Sequence, residues 1–186
     1  MRPLPSARPT TENSDDVGLI VALLTRFPEI ATITAHPLGG TLELTFVVRR
    51  RLDRASETSL RESLDEHIRA LLELRGGAAS KLDVFVQRDE QLSVARVVRD
   101  AATVTREELV LLTALLRERF GDELVTSPPA YAASEDEDIA AQDELVDFAL
   151  EALRDPEQQK SLVGYREERG VLVYYMRARR RKARGR

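Results

Sequence analysis

The stretch TLELTFVVR, Thr41 to Arg49, decides the fold class, because its side chains alternate in character. Leu42, Leu44, Phe46 and Val48 fall on one face and Thr41, Glu43 and Thr45 on the other, the period of a strand with one buried and one wetter face. Just before it, Pro37-Leu38-Gly39-Gly40 reads as a turn, since glycine takes positive φ without a steric penalty. Glu29 to His36 then reads as the partner strand of a hairpin. Upstream, Ser14 and Asp15 are good helix caps for an apolar helix from Val17 to Phe27, which Pro28 closes.

Downstream the pattern changes period. From about Ser56, Leu60, Leu64, Ile68 and Leu71 recur at helical spacing and make one apolar stripe, ended by Gly76-Gly77. A second hairpin follows: Lys81 to Gln87, with Leu82, Val84 and Val86 on one face, a turn at Arg88-Asp89-Glu90, then Gln91 to Arg99. Thr105-Arg106-Glu107-Glu108 has the form of a capping box, in which hydroxyl and carboxylate each satisfy a backbone N–H. The helix it opens, to Phe120, is apolar on several sides and reads as the central buried one. Leu124-Val125 adds a short strand. Leu42, Leu44, Val47, Val48 and Arg49 match Leu92, Val94, Val97, Val98 and Arg99 at an offset of fifty, the mark an old duplication would leave.

The expected fold is therefore α+β, a mostly antiparallel sheet built from two ββα units and followed by a C-terminal helix–β-hairpin module. The division is a disordered N-terminal segment 1–15, a core domain 16–126, an acidic Pro-containing linker 127–138, the helix–hairpin module 139–176, and a basic disordered tail 177–186. In the module, Leu145, Phe148, Ala149, Ala152 and Leu153 mark the apolar side of a helix from Ile139 to Arg154. Leu162 to Arg166 and Val171 to Met176 form the hairpin. A free two-stranded hairpin is marginal in water, so it should pack on the helix before it and either extend the main sheet or pair with a second subunit.

Composition bounds the function. Hydrophobic residues make up 42% of the 186, enough for a core that Leu, Val, Ile and Ala must fill, since aromatics are only 5% and Trp is absent. Cys is absent, which removes disulfides, thiolate metal sites and cysteine nucleophiles and fits a reducing, cytoplasmic setting. The longest apolar stretch, Val17 to Leu24, is far short of the ~20 residues of a membrane span. The two histidines, His36 and His67, show none of the zinc-binding spacings, no serine stands in a nucleophile elbow, and neither Gly-Gly pair is a phosphate loop. No catalytic, cofactor-binding or metal residue is assigned. Glu135 to Asp138 read as acids at a helix N-terminus, where the dipole favours them, and not as a cation site.

One segment stands apart. Arg177, Arg179, Arg180, Arg181, Lys182, Arg184 and Arg186 put +7 on the last ten residues of a chain whose net charge is −4, leaving −11 on the rest. Three readings follow. The first is a non-catalytic cytoplasmic interaction or regulatory protein that binds a protein partner through the hairpin edge and the charged linker and tail, with homodimerisation through the hairpin as one form of that contact. The second is an RNA- or ribosome-associated factor that grips phosphate with the tail, Arg49-Arg50-Arg51 and Arg54 enlarging the patch. The third is an enzyme centred on His67 with Asp65 and Glu66 beside it. The tail has a further role open to it, docking on the chain's own acids between Glu135 and Glu144.

Overall fold

The computed structural model describes residues 12–127, 136–154, 161–167 and 170–176, and the basic tail lies outside them. The elements run α1 (Glu12–Arg26), β1 (Thr32–His36), β2 (Thr41–Val48), α2 (Arg54–Leu74), β3 (Leu82–Arg88), β4 (Ser93–Asp100), α3 (Arg106–Phe120), α4 (Asp136–Ala152), β5 (Ser161–Glu167) and β6 (Gly170–Met176). The fold is α+β: the six strands form one antiparallel sheet in the order β3-β4-β2-β1-β5-β6. The β1–β2 hairpin is at its middle, joined to β4 through β2 and to β5 through β1. The C-terminal hairpin thus extends the main sheet, and its Leu162 shares one hydrophobic core with Leu44, Val97 and Leu112.

Burial follows the pleat. Leu42, Leu44, Phe46 and Val48 of β2 are fully buried, as the alternation requires, with Ile33 and Ala35 of β1 on the same face. Strand β4 departs from the reading at an offset of fifty, because it buries Ser93, Ala95, Val97 and Arg99 while Val94 and Val98 face the other way. A register slip of one residue exchanges the faces, so the apolar likeness of the two strands is not a likeness of position. Between Phe27 and Ala31 the chain turns, with the Ile30 N–H donating to Phe27 O, and the ladder of β1 starts only at Thr32. Leu124 adds an isolated bridge to Val48.

The helices gather on the buried face. Asp53 caps α2 by accepting from the Ser56 N–H at 2.7 Å, three residues upstream of the serine expected to start it. Its inward stripe is Leu60, Leu64, Ile68 and Leu72, so the fourth position is Leu72 and not Leu71. Gly76 closes it at φ 71°. Helix α3 touches both α2 and α4, which accounts for its several apolar sides. The helix lying on β5 and β6 is α1, and α4 packs on α1 and α3, in place of the α4–hairpin packing expected. Gly164 of β5 makes the α1 contact, with no side chain of its own to hold the helix away.

Candidate functional site

The face of α4 is the first surprise. Val146, Ala149, Leu150 and Leu153 point inward, whereas Leu145 is 56% and Phe148 67% exposed. The expected apolar side was therefore half right: Ala149 and Leu153 pack in the core and Leu145 and Phe148 stand in solvent. Together with Gly18, Val21, Ala22 and Thr25 of α1 they line an open groove of about 580 Å³ on the outside of the helix layer. Small residues on α1 leave the groove its depth, and two large apolar side chains on α4 form its wall.

Charge frames this groove. Between Asp136 and Ala152, α4 carries seven acidic residues and no basic one. Asp143 and Asp147 are engaged by Arg26 and Arg106, at 2.7 Å for Arg26 Nε to Asp143 and 3.1 Å for Arg106 Nε to Asp147. Glu144 and Glu151 are exposed and make no ion pair among the described residues.

A buried polar cluster lies between the end of β4 and the start of α3. Arg99 is fully buried and spreads its guanidinium over Glu108, Asp100, Thr103 Oγ1 and the Lys81 carbonyl. Thr105 does cap α3, accepting from the Glu108 N–H at 3.3 Å. The Glu108 carboxylate, however, does not close the capping box. It turns inward and takes both Nε and Nη2 of Arg99, a bidentate pair worth far more in a dry setting than a return bond to the helix start. Burial opposes the charge of Asp100, but hydrogen bonds from Thr103, the Lys81 N–H and Arg99 outweigh it and hold the carboxyl at about 2. Burial wins at Glu108 and pushes its carboxyl up, against the pull of Arg99. One cation shared by two carboxylates, with every arm bonded to the surrounding chain, ties β4 to α3.

Another ionic tie holds the end of α1. Glu29, only 1% exposed, meets the Arg117 guanidinium from α3. Arg166 of β5 donates to Phe27 O and Ile30 O at 3.3 Å each. Burial lowers the pKa of Arg166, with the Glu29 charge partly compensating.

The opposite face of the sheet carries no described helix. Across it run two rows set by the strand register: Phe85, Arg96, Thr45, Thr32, Tyr165 and Leu172, then Asp83, Val98, Glu43, Thr34, Val163 and Tyr174. Tyr165 and Tyr174 stack with centroids 5.7 Å apart and planes 12° from parallel. Arg96 lies 5.7 Å over the Phe85 ring at the far side. Tyr175 points to the core face, so the adjacent tyrosines of β6 part company, and β5 supplies the partner that Tyr174 stacks on. The pairing of Val163 with Tyr174 was not legible in the sequence without the hairpin register.

Of the residues singled out from sequence, Arg177, Arg179, Arg180, Arg181, Lys182, Arg184 and Arg186 lie outside the described residues, as do Ser134 and Glu135. Arg49 to Arg51 are exposed at the end of β2 remote from Thr41, whereas β6 ends at Met176, beside Ser161 and on the Thr41 side of the sheet. Arg50 is spent on Glu123 at 3.2 Å. His67 is exposed on α2, its Nδ1 2.7 Å from Ser63 O, and Asp65 bonds Arg69, so the ring has no carboxylate orienting it. His36 precedes the turn at Pro37, half-buried at the end of β1. Among the described residues no three acidic, His or Cys side chains converge as a metal site, and no helix is long and apolar enough to cross a membrane. Comparison of the chain with family models, curated proteins and solved structures gives no match in any of the three, and the functional reading therefore rests on the geometry.

Proposed function

We propose that this chain is a non-catalytic, cytoplasmic interaction protein that holds a partner polypeptide in the α1–α4 groove. One observation carries the reading: Phe148 and Leu145, large and apolar, stand 67% and 56% exposed on a helix whose other apolar stripe already serves the core. A second apolar stripe beside a trough of small residues is the form in which amphipathic helices are bound. The acids of α4 select the occupant, an amphipathic helix with apolar anchors three or four residues apart and Lys or Arg along its flanks. Like charge on the same rim disfavours a second copy of this chain in that position.

Finishing the burial of both side chains is worth about 3 kcal/mol, so truncating them should weaken binding about 100-fold. The test is a selection from a displayed library of helical peptides on the immobilised full-length chain. Enriched sequences should show apolar residues at helical spacing with basic flanks. They should lose about two orders of magnitude in affinity for Leu145→Ser/Phe148→Ser, whose melting should match the parent because both positions are exposed. Failure to enrich such sequences, or equal binding by the double variant, would refute the reading.

A second reading is contact with RNA. It is favoured by the seven cations that follow β6 directly and by the stacked tyrosines on the open sheet face.

A further inference from the structure

We infer that β6 is a dimer edge: a second copy of this chain pairs antiparallel with it about a twofold axis at Leu172, and two six-stranded sheets run on as one. This surface is separate from the α1–α4 groove, and each can fail without the other. Read from sequence, the C-terminal hairpin either extends the main sheet or pairs with a second subunit. Strand β5 does the first by joining β1, and β6 is left with an outer edge for the second. Among the described residues no strand pairs along that edge. Strand register fixes which backbone groups it presents. The Arg166 N–H donates to Ala31 O, so its neighbour Tyr165 turns its own N–H and C=O the other way, toward Leu172. Leu172 is therefore spent on β5, and Val171 and Val173 on either side of it present N–H and C=O outward.

The two edges of the sheet are treated differently. Strand β3 carries Asp83, Gln87 and Arg88, with Asp83 paired to Lys81 at 2.9 Å and Arg88 to Glu57 at 3.2 Å. From Gly170 to Tyr174, β6 holds no charge and no proline. Charged side chains on an edge are how sheets deter pairing, and this edge lacks them. Its own copy fits it. Antiparallel pairing about Leu172 sets Val171 against the partner's Val173, and Val173 against the partner's Val171, each pair exchanging both N–H···O bonds. Leu172 meets the partner's Leu172 in the closer, non-hydrogen-bonded position. The Tyr174 ring falls over the partner's Gly170, a position where an added β-carbon would meet nothing within 4 Å. No like charges come together, unlike on the rim of the groove, where the acids of α4 oppose a copy. Twofold pairing consumes both outer edges, and the charged β3 offers no further one, so assembly stops at two. A foreign strand could satisfy the main chain, but nothing obliges it to bring leucine to Leu172 and glycine to Tyr174.

The experiment is sedimentation velocity on the full-length chain over a concentration series up to about 0.5 mM, which reaches weak dimers. Leu172→Lys, Leu172→Glu and Val173→Pro are run beside it, with circular dichroism to check each fold. The parent should approach twice the monomer mass and go no further. Leu172→Lys and Leu172→Glu should each raise the midpoint concentration at least about tenfold, because like charges face each other across the axis, and an equimolar mixture of the two should return it close to the parent value. Val173→Pro removes an outward N–H and should abolish the dimer while the ladder to β5 persists; if it fails to fold, the charge pair decides alone. A parent that stays monomeric throughout overturns the dimer and leaves the edge to a foreign strand. Mass that keeps growing beyond two copies overturns the closed twofold. A dimer indifferent to Leu172→Lys, or one that mixing does not restore, overturns the axis at Leu172. None of these outcomes bears on peptide capture by the groove.

Discussion

Replacing Gly164 with alanine tests how α1 is seated on the sheet. A β-carbon at that position would lie 2.1 Å from Ile20 Cγ2 and 3.2 Å from Leu24 Cδ1. Carbon atoms settle at about 3.5–4.0 Å, so the gap must open by about 1.4 Å or more. The offending methyl sits on the β-carbon of Ile20, whose χ1 is stiff, so the helix backbone has to withdraw and no side chain can simply swing aside. Overpacking of this kind costs about 2–3 kcal/mol, which for a chain of this length lowers Tm by about 4–12 °C. Ile20→Ala alone should cost about 2–5 kcal/mol through the cavity it leaves. In the double variant the methyl introduced by Gly164→Ala occupies part of that cavity, so the two losses should fall short of their sum by about 1–3 kcal/mol. Ile20→Val keeps the clashing methyl and should give no such rescue. Urea unfolding followed by circular dichroism reads the single variants and both doubles with Gly164→Ala. If Gly164→Ala unfolds at the parent midpoint, or if the two losses add to within about 0.5 kcal/mol, the close approach of α1 to β5 is wrong.

Two further outcomes concern the buried cluster. Arg99→Met leaves Asp100 and Glu108 buried without their cation and should cost about 3–5 kcal/mol, whereas Glu108→Gln, which can still accept from Arg99, should cost less than about 1.5 kcal/mol; a loss under about 1 kcal/mol for Arg99→Met would contradict the clamp. The folded-state carboxyl of Asp100 is depressed to about 2, so its stabilisation is complete above the unfolded value near 4 and disappears as pH falls through 2. Glu108 works in the opposite sense, because a raised folded pKa makes its charge a cost at neutral pH that acid relieves. Asp100→Asn should accordingly be about 2 kcal/mol less stable than the parent at pH 7 and nearly equal to it at pH 2, measured by thermal melts across the range; a gap constant with pH would contradict the assignment.

Strand β2 was legible because only one of its faces is buried and its side chains record that. Strand β4 was not. Its outward Val94 and Val98 look like core, while inward Ser93 takes the Leu52 N–H at 2.9 Å and inward Arg99 is neutralised, so hydrophobicity and burial part ways. The capping box concealed the cluster in the same manner, since Thr105 and Glu108 satisfy the local motif while the carboxylate answers to a strand nine residues back. Helix α4 has two apolar stripes, and periodicity alone cannot say which one meets the core. The candidate surfaces follow from that ambiguity: periodicity puts Phe148 and Leu145 on the apolar side with Ala149 and Leu153, and it says nothing of Tyr165 beside Tyr174, because exposure and stacking depend on contacts between elements and not on any pattern within one.

Strand β1 lies between β2 and β5, pairing with Thr45 on one side and Tyr165 on the other through the same Thr32. Its second neighbour is made about 130 residues after the first strand leaves the ribosome, which at ordinary elongation speed is a wait of about 6–26 s. During that interval a nascent chain shows an unfilled strand edge at what will become the middle of its sheet, under a helix that still lacks β5 and β6 to sit on. Until β5 has emerged, the nascent polypeptide is vulnerable to pairing through that edge with its neighbours on a polysome, and chaperone dependence during synthesis would be the visible sign.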